Sequence, residues 1–271
     1  MARQTGNDAR APYAPPPIAE VVAKIRETRP EAVFAPHVET SAGIILPDDY
    51  ISQMAAAAHE VGALMVLDCI ASGCIWVDMA ATGVDVLISA PQKGWSASPS
   101  AGVVLLSAAA EVRLAETASN SFALDLKKWR AIMEAYEKGG HAYHATMPTD
   151  AIVGFRDAMV ETQAMGFEAA KAAQWALGRA VRAMLAARGV ASVAAEGFQA
   201  PGVVVSYTSD PDVQNGSKFR VQGLQIAAGV PLQVGEGPEF KTFRLGLFGL
   251  DKLQDVAATV ARLQRAVEAV L

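Results

Sequence analysis

Cysteine is scarce in this chain of 271 residues: only Cys69 and Cys74 occur. Two cysteines give neither a disulfide framework nor a metal-ligand set. Positive charge is also in deficit, with 23 Lys and Arg against 28 Asp and Glu and a net charge of −5. No basic block exists that would track a phosphate backbone, so no nucleic-acid partner is expected. Long apolar runs are missing too. Gly62–Leu67 and Val84–Ile88 are strand-sized, far below the roughly 20 residues of a membrane-spanning helix, and no membrane partner is expected. The opening stretch MARQTGNDARAPYAPPP has no apolar secretory core, which makes a reducing cytoplasm the expected location. No G-x-G-x-x-G follows a strand-like run, against a nicotinamide-binding site. His59, His141 and His144 lack ligand spacing, so no metal is assigned.

What is present is a large apolar fraction, 52% against 19% charged residues, enough for a sizeable core. Residues 1–17 read as a flexible or extended lead-in. Ile18, Val21, Val22 and Ile25 recur at helical spacing before Pro30. Ala32–Ala35 is a short apolar run that ends in PHVETSAG. A helical stripe over Asp48–Gly62 leads into the run Ala63–Leu67, which stops at Asp68. A short helix around Asp78–Gly83 precedes Val84–Ile88, the loop SAPQKGWSASPSAG and the strand Val103–Leu106. This alternation of continuous apolar strands with helices predicts an α/β fold with a parallel sheet covered on both faces.

Beyond Leu106 the pattern predicts helices over Leu126–Tyr136 and Ala151–Arg188, the latter broken near Gly166. A strand at Val203–Tyr207, a helix over Lys218–Ala228, a strand at Phe243–Phe248 and an amphipathic helix over Lys252–Leu271 complete it. The expected division is a lead-in (1–17), part of a large domain (18–150), connecting helices (151–190) and a small α+β domain (191–271).

Ligands of parallel sheets gather beyond the carboxyl ends of the strands, and three runs here end in polar residues: His37–Ser41, Asp68 and Ser89–Lys93. Most lysines are solvated surface groups. Lys93 instead follows a strand, flanked by Gln92, Trp95 and small residues, a setting suited to an amine nucleophile. A strand-end aspartate is commonly a cap, yet Asp68 lies 25 residues before Lys93, with one helix and one strand between, which predicts both residues at one edge of neighbouring strands. An amine with a carboxylate is the pair that a pyridoxal-phosphate (PLP) enzyme needs, the one for a Schiff base and the other for the pyridine nitrogen. Arg244 sits inside T-F-R-L-G-L-F, an otherwise unexplained charge in an apolar strand.

H-V-E-T-S-A-G, V-L-D-C-I-A-S-G, S-A-P-Q-K-G-W, Y-H-A-T-M-P-T and F-R-L-G-L-F-G occur in that order. Together, from about Ile18 to the C-terminus, the chain resembles the class V aminotransferases of the alanine–glyoxylate/serine–pyruvate branch. The resemblance implies PLP fold type I, a mainly parallel sheet sandwiched by helices with a smaller C-terminal domain. It also implies a homodimer and ping-pong transfer of an amino group from alanine or serine to glyoxylate or pyruvate. Lys93 is then the Schiff-base lysine, Asp68 the partner of the pyridine nitrogen, and Ile70 a packing surface for the ring. Gln92 and Thr40 would bond the 3′-oxygen, Arg244 would clamp the substrate carboxylate, and Tyr143 and Thr146 would reach the cofactor phosphate of the partner subunit. His37 and Glu39 are left as loop or capping residues. A class V desulfurase needs a cysteine well after the lysine, and none follows Cys74.

The resemblance also implies a preceding segment that carries a Ser/Gly-rich phosphate turn and an aromatic ring stack. Neither appears before Ile18, so the chain is expected to be truncated and to bind PLP weakly. The alternative function is a catalytically weak fragment that serves only in binding or dimerisation.

Overall fold

The computed structural model describes residues 1–271. Its main sheet has four strands side by side: Ala32–Pro36, Leu64–Asp68, Val86–Ser89 and Val103–Leu106. The first three are parallel, with Pro36 opposite Asp68 and Asp68 opposite Ile88. The fourth runs antiparallel to its neighbour. This departs from a purely parallel expectation for a physical reason: the segment from Ala90 to Gly102 contains no helix, and a parallel return needs a crossover.

Helices Ile18–Thr28 and Asp48–Glu60 pack against the face that carries Val33, Ala35, Met65 and Leu67. Asp48 and Asp49 in the first turn of the second helix suit its dipole. The expected cover on both faces is incomplete: Phe34 on the edge strand is 73% exposed. The crossover between the second and third strands holds only the four-residue helix Met79–Thr82, too short to mask a face.

The lead-in differs from a flexible tail. Arg3–Gln4 and Tyr13–Ala14 pair as a small antiparallel ribbon, and Tyr13 is buried among Val38, Ile44, Val193 and Tyr207. Its backbone N–H donates to Val193 O. A large aromatic side chain of this kind offsets the entropy cost of ordering a short segment.

The C-terminal part forms a second sheet, with Thr242–Gly246 between Val203–Tyr207 and Ala227–Ala228, all antiparallel. Helices Phe167–Ala186 and Val256–Val270 cover it, with Leu177, Val181, Phe219, Phe243 and Val267 in the core. The predicted helix over Lys218–Ala228 is only Ser217–Val221, because Gly223 takes φ +72° and turns the chain into the edge strand. The long helical stretch splits at Gly166 (φ +89°) into Thr149–Met165 and Phe167–Ala186. No helix is long and apolar enough to cross a membrane.

Candidate active site

Three adjacent parallel strands deliver their following loops to one sheet edge. Past Pro36 the chain enters His37–Ala42, past Asp68 it enters Cys69–Ser72, and past Ser89 it reaches Pro91–Trp95. Thr40, Asp68 with Ile70, and Gln92 with Lys93 therefore stand on neighbouring strand ends.

Hydrogen bonds from His37 fasten the first two loops together. Its backbone N–H donates to Asp68 O (2.8 Å), its carbonyl accepts from Leu46 N (2.9 Å), and its ring Nδ1 lies 2.7 Å from Ser72 Oγ. The ring is 1% exposed. Burial, reinforced by the charge of Lys171, pushes its pKa down to about 4, so it is a neutral imidazole at physiological pH. The Glu39 carboxylate accepts from the backbone N–H groups of Ser41 and Ala42, at 2.8 Å each, and so closes the loop that carries Thr40.

The Asp68 carboxylate accepts one bond through Oδ1, from Ile70 N at 2.9 Å. This turn sets Ile70 beside it. Asp68 belongs to no ion pair, and neither does Lys93. Lys93 is half-buried, with Nζ 5.9 Å from the centroid of Phe248. Its loop is held tightly. A Cβ on Gly94 would fall 2.2 Å from Gly73 O, so only glycine lets the lysine loop lie on the turn that begins at Asp68. On the other side Trp95 packs on Trp76 (5.0 Å between centroids) and Phe155 (5.9 Å), which ties the loop to the helix Thr149–Met165.

Phe248 follows the strand that carries Arg244, so Lys93 faces the second sheet. Arg244 Nε donates to Ala228 O at 2.8 Å, which orients the guanidinium with its terminal nitrogens free of protein acceptors. Tyr143 is 78% exposed, and its hydroxyl pairs with Thr146 at 3.1 Å. No hydrogen bond within the chain joins either residue to Asp68, Gln92 or Lys93. The two cysteines are buried, and burial lifts their thiols to about 12 (Cys69) and about 11 (Cys74), which leaves no reactive thiolate near the lysine.

Sequence reasoning did not single out Phe248 or the His37–Ser72 pair. Phe248 lies within the F-R-L-G-L-F-G motif and was legible there as an aromatic close to Arg244. Ser72 is 35 residues from its partner and carries no local signal.

This donor set fits the ring of PLP. It has an amine and, on the adjacent strand, a carboxylate that belong to no ion pair, an apolar Ile70 in the turn after the carboxylate, and two loops whose contact at Gly94 and Gly73 admits no larger side chain. The family described as aminotransferase class-V matches residues 16–209. The 2-aminoethylphosphonate–pyruvate transaminase of Burkholderia ambifaria (strain MC40-6) is 30% identical over 254 residues, which cover 93% of this chain and 65% of that protein. This chain thus spans just under two thirds of the length of that curated relative. Among solved structures, the alanine–glyoxylate aminotransferase from Nostoc sp. superposes with a TM-score of 0.80 at 21% identity, covering 94% of this chain and 65% of the other. The pyridoxamine–pyruvate aminotransferase from Mesorhizobium loti gives 0.74 at 22% identity, covering 94% and 64%. These likenesses give the fold, PLP fold type I, and the family match gives the membership: the chain belongs to the class V aminotransferases, a PLP-dependent family.

Proposed function

We propose that this protein transfers an amino group from a small donor, alanine or serine, to a small 2-oxo acid, glyoxylate or pyruvate, in a PLP-dependent ping-pong reaction. The observation that carries the reading is the arrival of Thr40, Asp68 and Lys93 on three consecutive strand ends, with Lys93 turned toward the sheet that bears Arg244. The named activities of the relatives and structural neighbours support a 2-oxo acid as acceptor.

In this reading Lys93 Nζ holds the cofactor and Asp68 keeps the pyridine nitrogen protonated. Ile70 flanks the ring, and Gln92 and Thr40 bond the 3′-oxygen. The bound cofactor supplies an electron sink for the carbanion left when a proton departs from the substrate α-carbon. Lys93 is the base that takes this proton and returns it. Phe248 stands beside the amine, with Nζ 5.9 Å from its ring centroid. Arg244 binds the substrate carboxylate through its free terminal nitrogens, a bidentate task for which a guanidinium is suited. Reduction of the PLP-loaded protein with borohydride, followed by peptide mapping, is expected to find the pyridoxyl group on Lys93. Label on any other lysine overturns the assignment.

The same reading assigns residues 18–150 to the large domain, 151–190 to the connection and 191–271 to the small domain, in a cytoplasmic homodimer with shared sites. Tyr143 and Thr146 then serve the cofactor phosphate of the second subunit. Support comes from the apolar surface around them: Phe122, Leu124, Met133 and Tyr136 are 59–74% exposed, and the helix Leu126–Glu137 buries no residue. An unpartnered apolar surface of this kind suits a protein interface.

A further inference from the structure

The helix Phe167–Ala186 presents Trp175, Gly178, Arg179 and Arg182 on one face, at positions i, i+3, i+4 and i+7. Across from it runs the segment Gly197–Pro201. The two are held close at Gly178, where a Cβ would lie 2.5 Å from Pro201 Cα. Beside this contact a cavity of about 200 Å³ opens, walled by Trp175, Arg179, Arg182, Gln199 and Pro201. No carboxylate lines it.

The Arg182 side chain is out of balance with this setting. Its Nε and Nη1 are sealed from solvent and have no hydrogen-bond partner. Its Nη2 makes only long contacts, 3.3 Å to Val203 O and 3.5 Å to Gly43 O. No acid lies within ion-pair distance of it. Burial pulls its pKa down to about 10, yet at neutral pH the group is a cation without a counter-charge. A buried unpaired charge is among the costliest arrangements in a folded protein. Arg179, exposed on the next turn, is likewise unpaired, and so is the side-chain amide of Gln199. Two guanidinium groups and an amide thus border a space that no carboxylate lines.

From this we infer that the cavity between Trp175, Arg179, Arg182 and Gln199 is a binding site for a phosphate-type oxyanion, separate from the Lys93 site. The space admits a group of that size, and two guanidiniums match a dianion in charge and in bidentate geometry. Arg182 gives up its long contact to Gly43 O and turns its unpaired N–H groups onto the anion, while Arg179 and Gln199 close over it from the rim. Gly43 ends the loop that carries Thr40, so occupation of the site bears on the backbone behind the candidate active site.

Isothermal titration of the full chain with inorganic phosphate tests the site. One saturable phosphate per chain is expected. Arg182→Met and the rim double variant Arg179→Ala/Gln199→Ala are each expected to weaken it at least tenfold, and Arg244→Ala to leave it within about twofold. Without phosphate, Arg182→Met is expected to melt at the wild-type temperature or above, since an apolar side chain replaces an uncompensated cation. The rim variant removes no buried group, so it remains informative if Arg182→Met folds poorly. Absence of saturable binding in the millimolar range, wild-type affinity in both cavity variants, or loss of binding in Arg244→Ala each overturns the proposal.

Discussion

The two ends of the main sheet are built on opposite principles. At the amino end Asp85 is buried at 4% exposure, and its carboxylate is fully engaged. It accepts from His59 Nε2 (2.7 Å), Met65 N (2.8 Å) and Ser107 Oγ (2.9 Å). Burial works to raise its pKa, but these hydrogen bonds win and hold the carboxyl below the usual range. One side chain thereby joins a helix, two strand starts and the N-cap of the helix Ala108–Glu116. At the carboxyl end the Asp68 carboxylate accepts a single bond, from its own turn, and the Lys93 amine makes none. Polar groups that hold a fold are saturated by the fold. Those at the other end keep their valences for something else.

The largest test of this contrast is Lys93→Ala. It is expected to lower kcat by about 10³-fold or more, since in the proposed function it removes both the covalent anchor and the proton carrier. Because the Lys93 side chain joins no hydrogen bond or ion pair, thermal melting of the apoprotein should move by less than about 2 °C. A large loss of stability would show that the carboxyl end is also a folding element.

His37 sharpens the comparison, since it lies at the carboxyl end yet is saturated like Asp85. Its folded pKa of about 4 is below the unfolded value near 6.5. The unfolded chain therefore binds more protons between these values. The contribution is fully present above about pH 6.5 and is lost as pH falls toward 4, roughly 3 kcal/mol across the window. Denaturant unfolding at a series of pH values should show this limb, and His37→Gln should flatten it. An identical slope in the variant would place the proton elsewhere.

The smallest effect is expected from Asp85→Ala. It leaves the Met65 N–H and the Ser107 hydroxyl without a partner, a loss of about 2–3 kcal/mol in chemical denaturation. The rate of the proposed transamination per folded molecule should stay near wild type. A selective loss of kcat at full stability would mean that the two ends are coupled through the strands.

The strands were legible because a sheet buried on at least one side demands unbroken apolar runs, and their ends because Asp68 and the P-Q-K-G turn interrupt those runs abruptly. Helix limits followed from Pro, Asp and Gly, as at Asp78 and Gly83 around the helix Met79–Thr82. Orientation was less legible: Val103–Leu106 has the same composition as its neighbours, and only the helix-free stretch before it carries its direction. The docking of Tyr13 and the pairing of His37 with Ser72 depend on contacts between residues far apart in the chain, which local pattern does not encode. Lys93, Asp68 and Arg244 were legible from strand-end position, spacing and a charge in an apolar strand, whereas Ile70, Gln92, Thr40, Tyr143 and Thr146 were legible only through motif order.

The contact between Gly94 and Gly73 sets a tolerance in the machinist's sense. The placement of the amine at position 93 is gauged by a missing methyl group on the residue beside it, so the part that decides alignment is one with no functional group at all. Wear at such a gauge would leave the chemistry of every polar residue intact and still move the tool off its mark.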